Sequence, residues 1–225
     1  MKKRAVGNAS SNNNRRRWNH TEPIAQDKTN PRAPGMRLTV GVMGSASGPI
    51  SARAMRLARE LGRAIAVQGC VTITGACPGL PLAAAQGAYE EGGLVVGISP
   101  GLSLDEHREK YSSPVNCHDV LIFTGSGLMG REVVNIRSSD MVAILGGRSG
   151  TLGELAIAYD EGKLIGVLTD TGGISNMVAK ILVACEKNTG ARVLYDDDPR
   201  RLVERMVRTY RLQHYKKPSI FELRR

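Results

Sequence analysis

The apolar residues of this chain fall into short runs that alternate with longer stretches of helix-forming residues. Each run is rich in valine, isoleucine or leucine, and most are followed by glycine or another turn-forming residue. The runs occupy residues 38–44, 71–74, 94–98, 120–123, 141–145, 164–168 and 192–195. The stretches between and after them, 51–66, 82–91, 131–137, 151–161, 174–186 and 200–211, have helical composition. The pattern predicts strands and helices in regular alternation.

The predicted strands are continuously apolar rather than alternating in polarity. Strands of this kind belong to parallel sheets that are covered by helices on both faces. The spacing of the helices fits βαβ crossovers, whereas a TIM barrel needs eight such units and this chain supplies fewer. We therefore expect an α/β protein with a Rossmann-like, doubly wound, mainly parallel sheet. It would form a single nucleotide-binding domain over residues 37–212.

The positive charge of the chain is concentrated at its two ends. Residues 1–36 carry a net charge of +6 and residues 199–225 a net charge of +7, whereas residues 37–198 carry −3. We interpret residues 1–36 as a disordered, solubilising tail and residues 213–225 as a second basic tail. The run 200–211 is expected to form a surface helix with a basic face. Nucleic-acid binding through these ends is kept only as a third hypothesis.

Several other classes of protein are excluded by composition. No apolar run approaches the roughly 20 residues of a membrane helix, so no membrane partner is predicted. The N-terminus lacks the apolar segment of a secretory signal, and the cysteines show neither zinc-ligand spacing nor a disulfide pattern. We expect a cytoplasmic protein with no metal site. His107 and His118, in a polar stretch, are interpreted as surface residues.

Three predicted strands end in glycine-rich loops at residues 44–48, 74–79 and 146–151. In an open parallel sheet the carboxyl ends of the strands form the ligand-binding edge. Glycine lets backbone amides approach an anion, and a helix N-terminus adds partial positive charge. One such loop would be explained by turn geometry alone, but three at one edge favour a phosphorylated ligand. Neither a GxGxxG fingerprint nor a P-loop motif is present.

Two charged residues stand near the third loop. Glu154 lies one turn into the helix that the loop opens, so its carboxylate can face the same crevice. Arg131 begins the predicted helix 131–137, which is followed by the strand 141–145 and then by the third loop. The simplest interpretation is that Glu154 complements the helix dipole and that Arg131 is a surface cation.

Residues 131–154 carry a recognisable motif. They read REVVNIRSSD, an apolar strand and then GGRSGTLGE, which resembles the LONELY GUY family, proteins long mislabelled as lysine decarboxylases. That family shows an Arg-Lys pair, Ser-Asp before a strand, and Pro-Gly-Gly-x-Gly-Thr-x-x-Glu. The resemblance spans roughly residues 38–190, and the wider superfamily includes nucleotide-binding proteins and molybdenum-cofactor carriers.

The resemblance implies hydrolysis of a nucleoside 5′-monophosphate to a free base and ribose 5-phosphate, without a cofactor. Glu154 would stabilise the oxocarbenium-like transition state and orient or deprotonate water, while Arg131 would hold the ribose or phosphate. A homodimer would complete the site. The implied substrate- and phosphate-binding residues are Gly44, Ser45, Gly75, Gly79, Gly146, Gly147, Arg148, Ser149, Gly150 and Thr151.

The chain departs from the family pattern at four positions. Gly146 replaces the proline, Arg148 replaces a glycine, Glu132 replaces the lysine, and Gly153 replaces an acidic residue. These departures are typical of a divergent branch near the molybdenum-cofactor carriers. A non-catalytic protein that carries a nucleotide or molybdenum cofactor in the same cleft is therefore the alternative to the hydrolase.

Overall fold

A computed structural model describes residues 36–214, and the predicted basic tails lie almost entirely outside this range. Within it, seven parallel strands form one sheet in the order β4-β3-β2-β1-β5-β6-β7. This confirms the predicted Rossmann-like α/β fold. The strands are β1 (Thr39–Gly44), β2 (Val71–Thr74), β3 (Val95–Ser99), β4 (Val120–Phe123), β5 (Met141–Leu145), β6 (Leu164–Leu168) and β7 (Arg192–Asp196).

Six α-helices connect or follow these strands and cover the sheet on both faces. The apolar cores of the two faces are separate: α1, α2 and α6 pack on one face, and α3, α4 and α5 pack on the other. The helices are α1 (Ala52–Val67), α2 (Leu80–Glu90), α3 (Gly127–Arg137), α4 (Ser149–Asp160), α5 (Val178–Cys185) and α6 (Pro199–Thr209).

The interior strand β5 shows why an uninterrupted apolar run is required. Successive side chains of a strand point to opposite faces of the sheet. Ala143 and Leu145 accordingly pack in the core beneath α1 and α2, whereas Val142 and Ile144 pack beneath α3 and α4. All five residues of β5 are buried. A polar residue anywhere in this strand would therefore enter one of the two cores.

The edge strand β4 differs from this expectation. Its apolar side chains are not covered on both faces: Val120 and Ile122 are each 45% exposed and Phe123 is 37% exposed. Because β4 is the last strand of the sheet, its outer edge has no neighbouring strand.

Two helix predictions need correction. Helix α3 begins at Gly127, four residues before the predicted start at Arg131, although glycine has a low helix propensity. The predicted helix 174–186 is instead a short 3₁₀ turn, Gly173–Asn176, followed by α5. In both places the connection to the sheet decides the geometry rather than local composition.

The acidic sequence 196–198 ends β7 and begins α6. Asp198 caps α6, because its carboxylate accepts a hydrogen bond of 2.9 Å from the amide of Arg201. Asp196 is buried and bonded to Arg201 and Arg205, which hold its pKa well below the usual range. The acidic sequence thus caps the helix through Asp198, and the Asp196 carboxylate is already engaged by two arginines.

The order of the strands reverses between β1 and β5. After β1 the chain adds β2, β3 and β4 on one side, and it then returns to place β5 on the other side of β1. The loops that leave β1 and β5 consequently diverge and leave a crevice between them. No helix within residues 36–214 has the length and apolar character needed to cross a bilayer.

Candidate functional site

A cavity of about 660 Å³ opens at the crevice between β1 and β5. Nine of the twelve predicted site residues line it. They are Gly44, Ser45, Gly75, Arg131, Arg148, Ser149, Gly150, Thr151 and Glu154. These nine residues therefore lie around one cavity, to which four loops and three α-helices contribute side chains or backbone.

The first turn of α4 forms one wall of the cavity. Helix α4 begins at Ser149, and Arg148 at the N-cap position supplies no side-chain acceptor to the first amides. The first turn also contains no acidic residue. Since the first amides of a helix have no partner within the helix, Ser149, Gly150 and Thr151 present N–H groups where an anion is favoured. This wall has the properties of a phosphate site.

Gly146 and Gly147 shape the loop before α4. The Gly146 amide donates to Thr171 Oγ1, and the Gly147 amide donates to Ser45 Oγ, each at 2.8 Å. Both glycines have positive φ, 53° and 102°, which a larger residue rarely adopts. Because their amides are already used, these residues hold the loop in place, and neither glycine lines the cavity.

Gly79 has a similar supporting position at the start of α2. Its φ is 76°, and a Cβ there would collide with the carbonyl oxygen of Ser45, which accepts a hydrogen bond from the Leu80 amide. Gly79 lies outside the cavity wall. Its role is to let α2 begin directly against the loop that follows β1.

Arg131 is a buried residue, contrary to the simplest interpretation of it as a surface cation. Only 7% of it is exposed, and its guanidinium rests against Gly75, where there is no room for a Cβ. Its Nε has no hydrogen-bond partner within the described residues. A buried arginine with an unused donor at a cavity wall is available to a ligand acceptor.

Glu154 lines the same cavity and is also 7% exposed. Burial raises the pKa of its carboxyl to about 8; Arg131 opposes this shift and the neighbouring Glu132 adds to it. The side chain is consequently protonated at neutral pH. A neutral carboxyl group can donate a hydrogen bond or a proton, which an ionised one cannot.

Glu132 is the functional-site residue that sequence analysis noted only as a departure from the family pattern. It is 6% exposed, its Oε2 has no partner among residues 36–214, and burial raises its pKa. Its carboxylate lies beside α4, so that a Cβ on Gly150 or Gly153 would come within 3.2 Å or 3.1 Å of it. Two departures from the motif, Glu132 and Gly153, are therefore neighbours in space.

The segment between β3 and β4 forms another wall, which no sequence motif indicated. It contains a helical turn, Glu106–Lys110, and residues 110–113 line the cavity. His107 fixes the turn: its Nδ1 is 2.9 Å from Ser99 Oγ, and its Nε2 donates to the carbonyl of Pro114 at 3.0 Å. His107 is completely buried, so its interpretation as a surface residue is wrong.

Two further side chains near the cavity have structural roles. Cys77 lies in its wall, and burial raises the pKa of its thiol to about 11, which keeps the sulfur in the unreactive neutral form. His118 is half-buried, with Nε2 3.1 Å from Thr74 Oγ1. Within residues 36–214, no three His, Cys, Asp or Glu side chains meet as a metal site requires.

The raised pKa of Glu154 predicts a specific pH dependence of stability. The folded protein keeps a proton on Glu154 up to about pH 8, whereas the unfolded chain loses it near pH 4.5. Stability should therefore fall as pH rises through this interval, by up to about 1.4 kcal/mol per pH unit from this group. Urea unfolding should show a shallower fall for Glu154→Gln. Glu161→Gln is the control, and equal slopes in wild type and Glu154→Gln would contradict the prediction.

Comparison with known proteins identifies one sequence relative and several solved structures of similar fold. The chain is 36% identical to an uncharacterised protein of Archaeoglobus fulgidus over 131 residues, which cover 58% of this chain and 80% of that protein. Among solved structures, it is similar to the molybdenum cofactor binding protein of Rippkaea orientalis, with 28% identity and a TM-score of 0.63 over 77% of this chain and 98% of that one. The Moco carrier protein of Chlamydomonas reinhardtii is 25% identical, with a TM-score of 0.64 over 78% and 98%.

The family assignment covers most of the described domain. Residues 37–203 match a single family, and the match includes every residue of the cavity described above. It agrees with the resemblance to a divergent, LONELY GUY-like branch close to the molybdenum-cofactor carriers. The chain belongs to the SLOG cluster4 family.

Proposed function

We propose that this protein binds a phosphorylated heterocycle, a molybdenum-cofactor-type pterin or a nucleotide, and carries it without altering it. The observation that carries the proposal is the uncapped first turn of α4, which faces a cavity also lined by Arg131 and Arg148. Amides and guanidinium groups in this arrangement favour a phosphate. The molybdenum-cofactor-binding relatives of the same fold support a carrier function.

The remaining walls suit a flat heterocycle. Pro78, Pro81, Pro100 and Leu128 provide apolar surface around the cavity. Glu132 offers an oxygen with no partner in the described structure. Pterin and guanine each carry adjacent N–H donors on one ring edge, and a carboxylate can accept from such an edge. A volume of about 660 Å³ is within the range of small-ligand sites.

Removal of the Arg131 charge tests the phosphate site. We expect Arg131→Ala to weaken binding of GMP about tenfold or more, because a charge-assisted contact is lost. Arg137→Ala is the matched control, since Arg137 lies on the same helix but pairs with Glu161 away from the cavity. Isothermal titration calorimetry measures both affinities, and mass spectrometry of the isolated protein identifies any bound ligand. Equal GMP affinity in wild type and Arg131→Ala would reject the site.

Hydrolysis of a nucleoside monophosphate is the second candidate, and it is favoured by the placement of Arg131 and Glu154 on one cavity. In that reaction water adds to C1′ of the ribose, the N-glycosidic bond breaks, and the base leaves with a proton. The raised pKa of Glu154 suits it to donate that proton to the leaving base, rather than to take one from water. Arg131 would hold the sugar phosphate.

Base release distinguishes the two candidates. If the protein is a carrier, GMP and AMP are recovered unchanged after incubation and chromatography. If it is a hydrolase, free base accumulates, Glu154→Gln abolishes its release, and Glu161→Gln retains it. The hydrolase rate should also decline above about pH 8, as Glu154 loses its proton. Unimpaired turnover in Glu154→Gln would exclude the acid role.

We also propose that the protein forms a homodimer through the edge surface, defined here by Leu102, Val120, Ile122, Phe123, Leu128 and Met129. All six side chains are apolar and exposed, with Leu102 and Met129 more than 70% exposed. Large exposed apolar side chains concentrated at a sheet edge are typical of interfaces. Leu128 also lines the cavity, so a second copy docked here would border the ligand.

A charge placed in the edge surface tests the dimer. Light scattering of the wild-type protein should give twice the chain mass of 24.2 kDa, and Met129→Asp should give the monomer mass because dimerisation would bury the new charge. The control is Val183→Asp, because Val183 of α5 is about as exposed as Met129; this variant should remain dimeric. A monomeric wild-type protein would contradict the proposal.

A further inference from the structure

A second cavity, of about 670 Å³, lies beside the first at the same edge of the sheet. Its walls come from the loop after β1, the first turn of α1 and the loop after β6. Polar side chains are available there: Arg53 and Asp170 form an ion pair of 3.1 Å, both 59% exposed, and Asn176 also lines this cavity. The proposed function does not use this space.

The two cavities meet at Arg148. Ser45, Ser47 and Arg148 line both of them. The Arg148 side chain passes over Gly48, and its Nη1 donates to Ser47 Oγ at 3.3 Å. It forms no ion pair with a carboxylate within residues 36–214. The partition between the cavities is thus an exposed guanidinium whose charge is not neutralised by the protein.

Arg148 stands where the related motif has a glycine. A glycine there would leave no side chain between the cavities, whereas arginine supplies a planar fork that binds two phosphate oxygens at once. The first phosphate of a ligand at the start of α4 would lie next to this fork. A second phosphate linked to the first would extend across it toward the second cavity.

We propose that the second cavity is a subsite for the distal half of a longer ligand, a nucleoside diphosphate joined to a second sugar or nucleoside. The pyrophosphate would cross Arg148, and the distal sugar would hydrogen-bond to Arg53, Asp170 or Asn176. This inference rests on the proposed function, because it takes the first phosphate to lie at α4. It adds the class of ligand and a binding site that the carrier proposal does not include.

Calorimetric titration with GMP, GDP and GDP-mannose tests the subsite, since the three ligands extend stepwise from the first cavity. We expect GDP-mannose to bind about tenfold more tightly than GDP, because only its mannose reaches the second cavity. Arg53→Glu should remove this advantage and leave GMP affinity unchanged. Arg56→Glu, an equal charge change one turn further along α1 and outside both cavities, should retain it. Asn176→Trp, which fills the subsite, is a second variant.

The outcomes separate the subsite from the carrier function. If GMP binds but GDP-mannose binds no more tightly than GDP, the subsite is refuted and the proposed function stands. If the advantage of GDP-mannose persists in both Arg53→Glu and Asn176→Trp, the distal sugar lies elsewhere and the subsite is again refuted. If none of the three ligands binds, the subsite is refuted together with the nucleotide form of the proposed function. The subsite is supported if Arg53→Glu and Asn176→Trp each lose the advantage of GDP-mannose over GDP while Arg56→Glu retains it.

Discussion

The candidate site depends on how the loop between β5 and α4 is held. Two hydroxyl groups from distant parts of the chain accept hydrogen bonds from this loop. Ser45 Oγ accepts from the amide of Gly147, and Thr171 Oγ1 accepts from the amide of Gly146. These bonds tie the loop to the ends of β1 and β6, so that α4 begins at the point where the strand order reverses. Its uncapped first turn then lines the cavity. Without them, the glycines that give the loop its shape would also leave it free to move.

Buried ionisable groups give this cavity its chemical character. Arg131, Glu132 and Glu154 are each less than a tenth exposed, and burying such groups without full partners is costly. A ligand that supplies a phosphate to Arg131 and N–H donors to Glu132 would satisfy groups that the protein leaves unpaired. Glu132 and Gly153, which lie next to each other in the structure, both depart from the family pattern, and Arg148 adds a positive charge at the same cavity. These changes together alter the electrostatics of the pocket while preserving its fold.

The fold and the main cavity were predictable because they depend on patterns that local sequence carries. Continuous apolar strands indicated a sheet covered on both faces, and glycine-rich strand ends placed the cavity. The wall formed by residues 106–113 was not predictable, since His107 anchors it through Ser99 and Pro114, contacts that no periodicity reveals. The burial of Arg131 also required the tertiary structure: its guanidinium fits only because residue 75 is glycine. The raised pKa of Glu154 likewise arises from burial and from the nearby Glu132 of α3, not from its position in the motif.

The proposed function requires an anion at the first turn of α4. Titration of ¹⁵N-labelled protein with GMP, followed by amide NMR, measures this most directly. We predict that the amide resonances of Gly150 and Thr151 move downfield and saturate together with the calorimetric binding curve, because these N–H groups would bond to the phosphate. If GMP binds while both resonances stay in place, the phosphate lies elsewhere and the first turn of α4 is not the phosphate site.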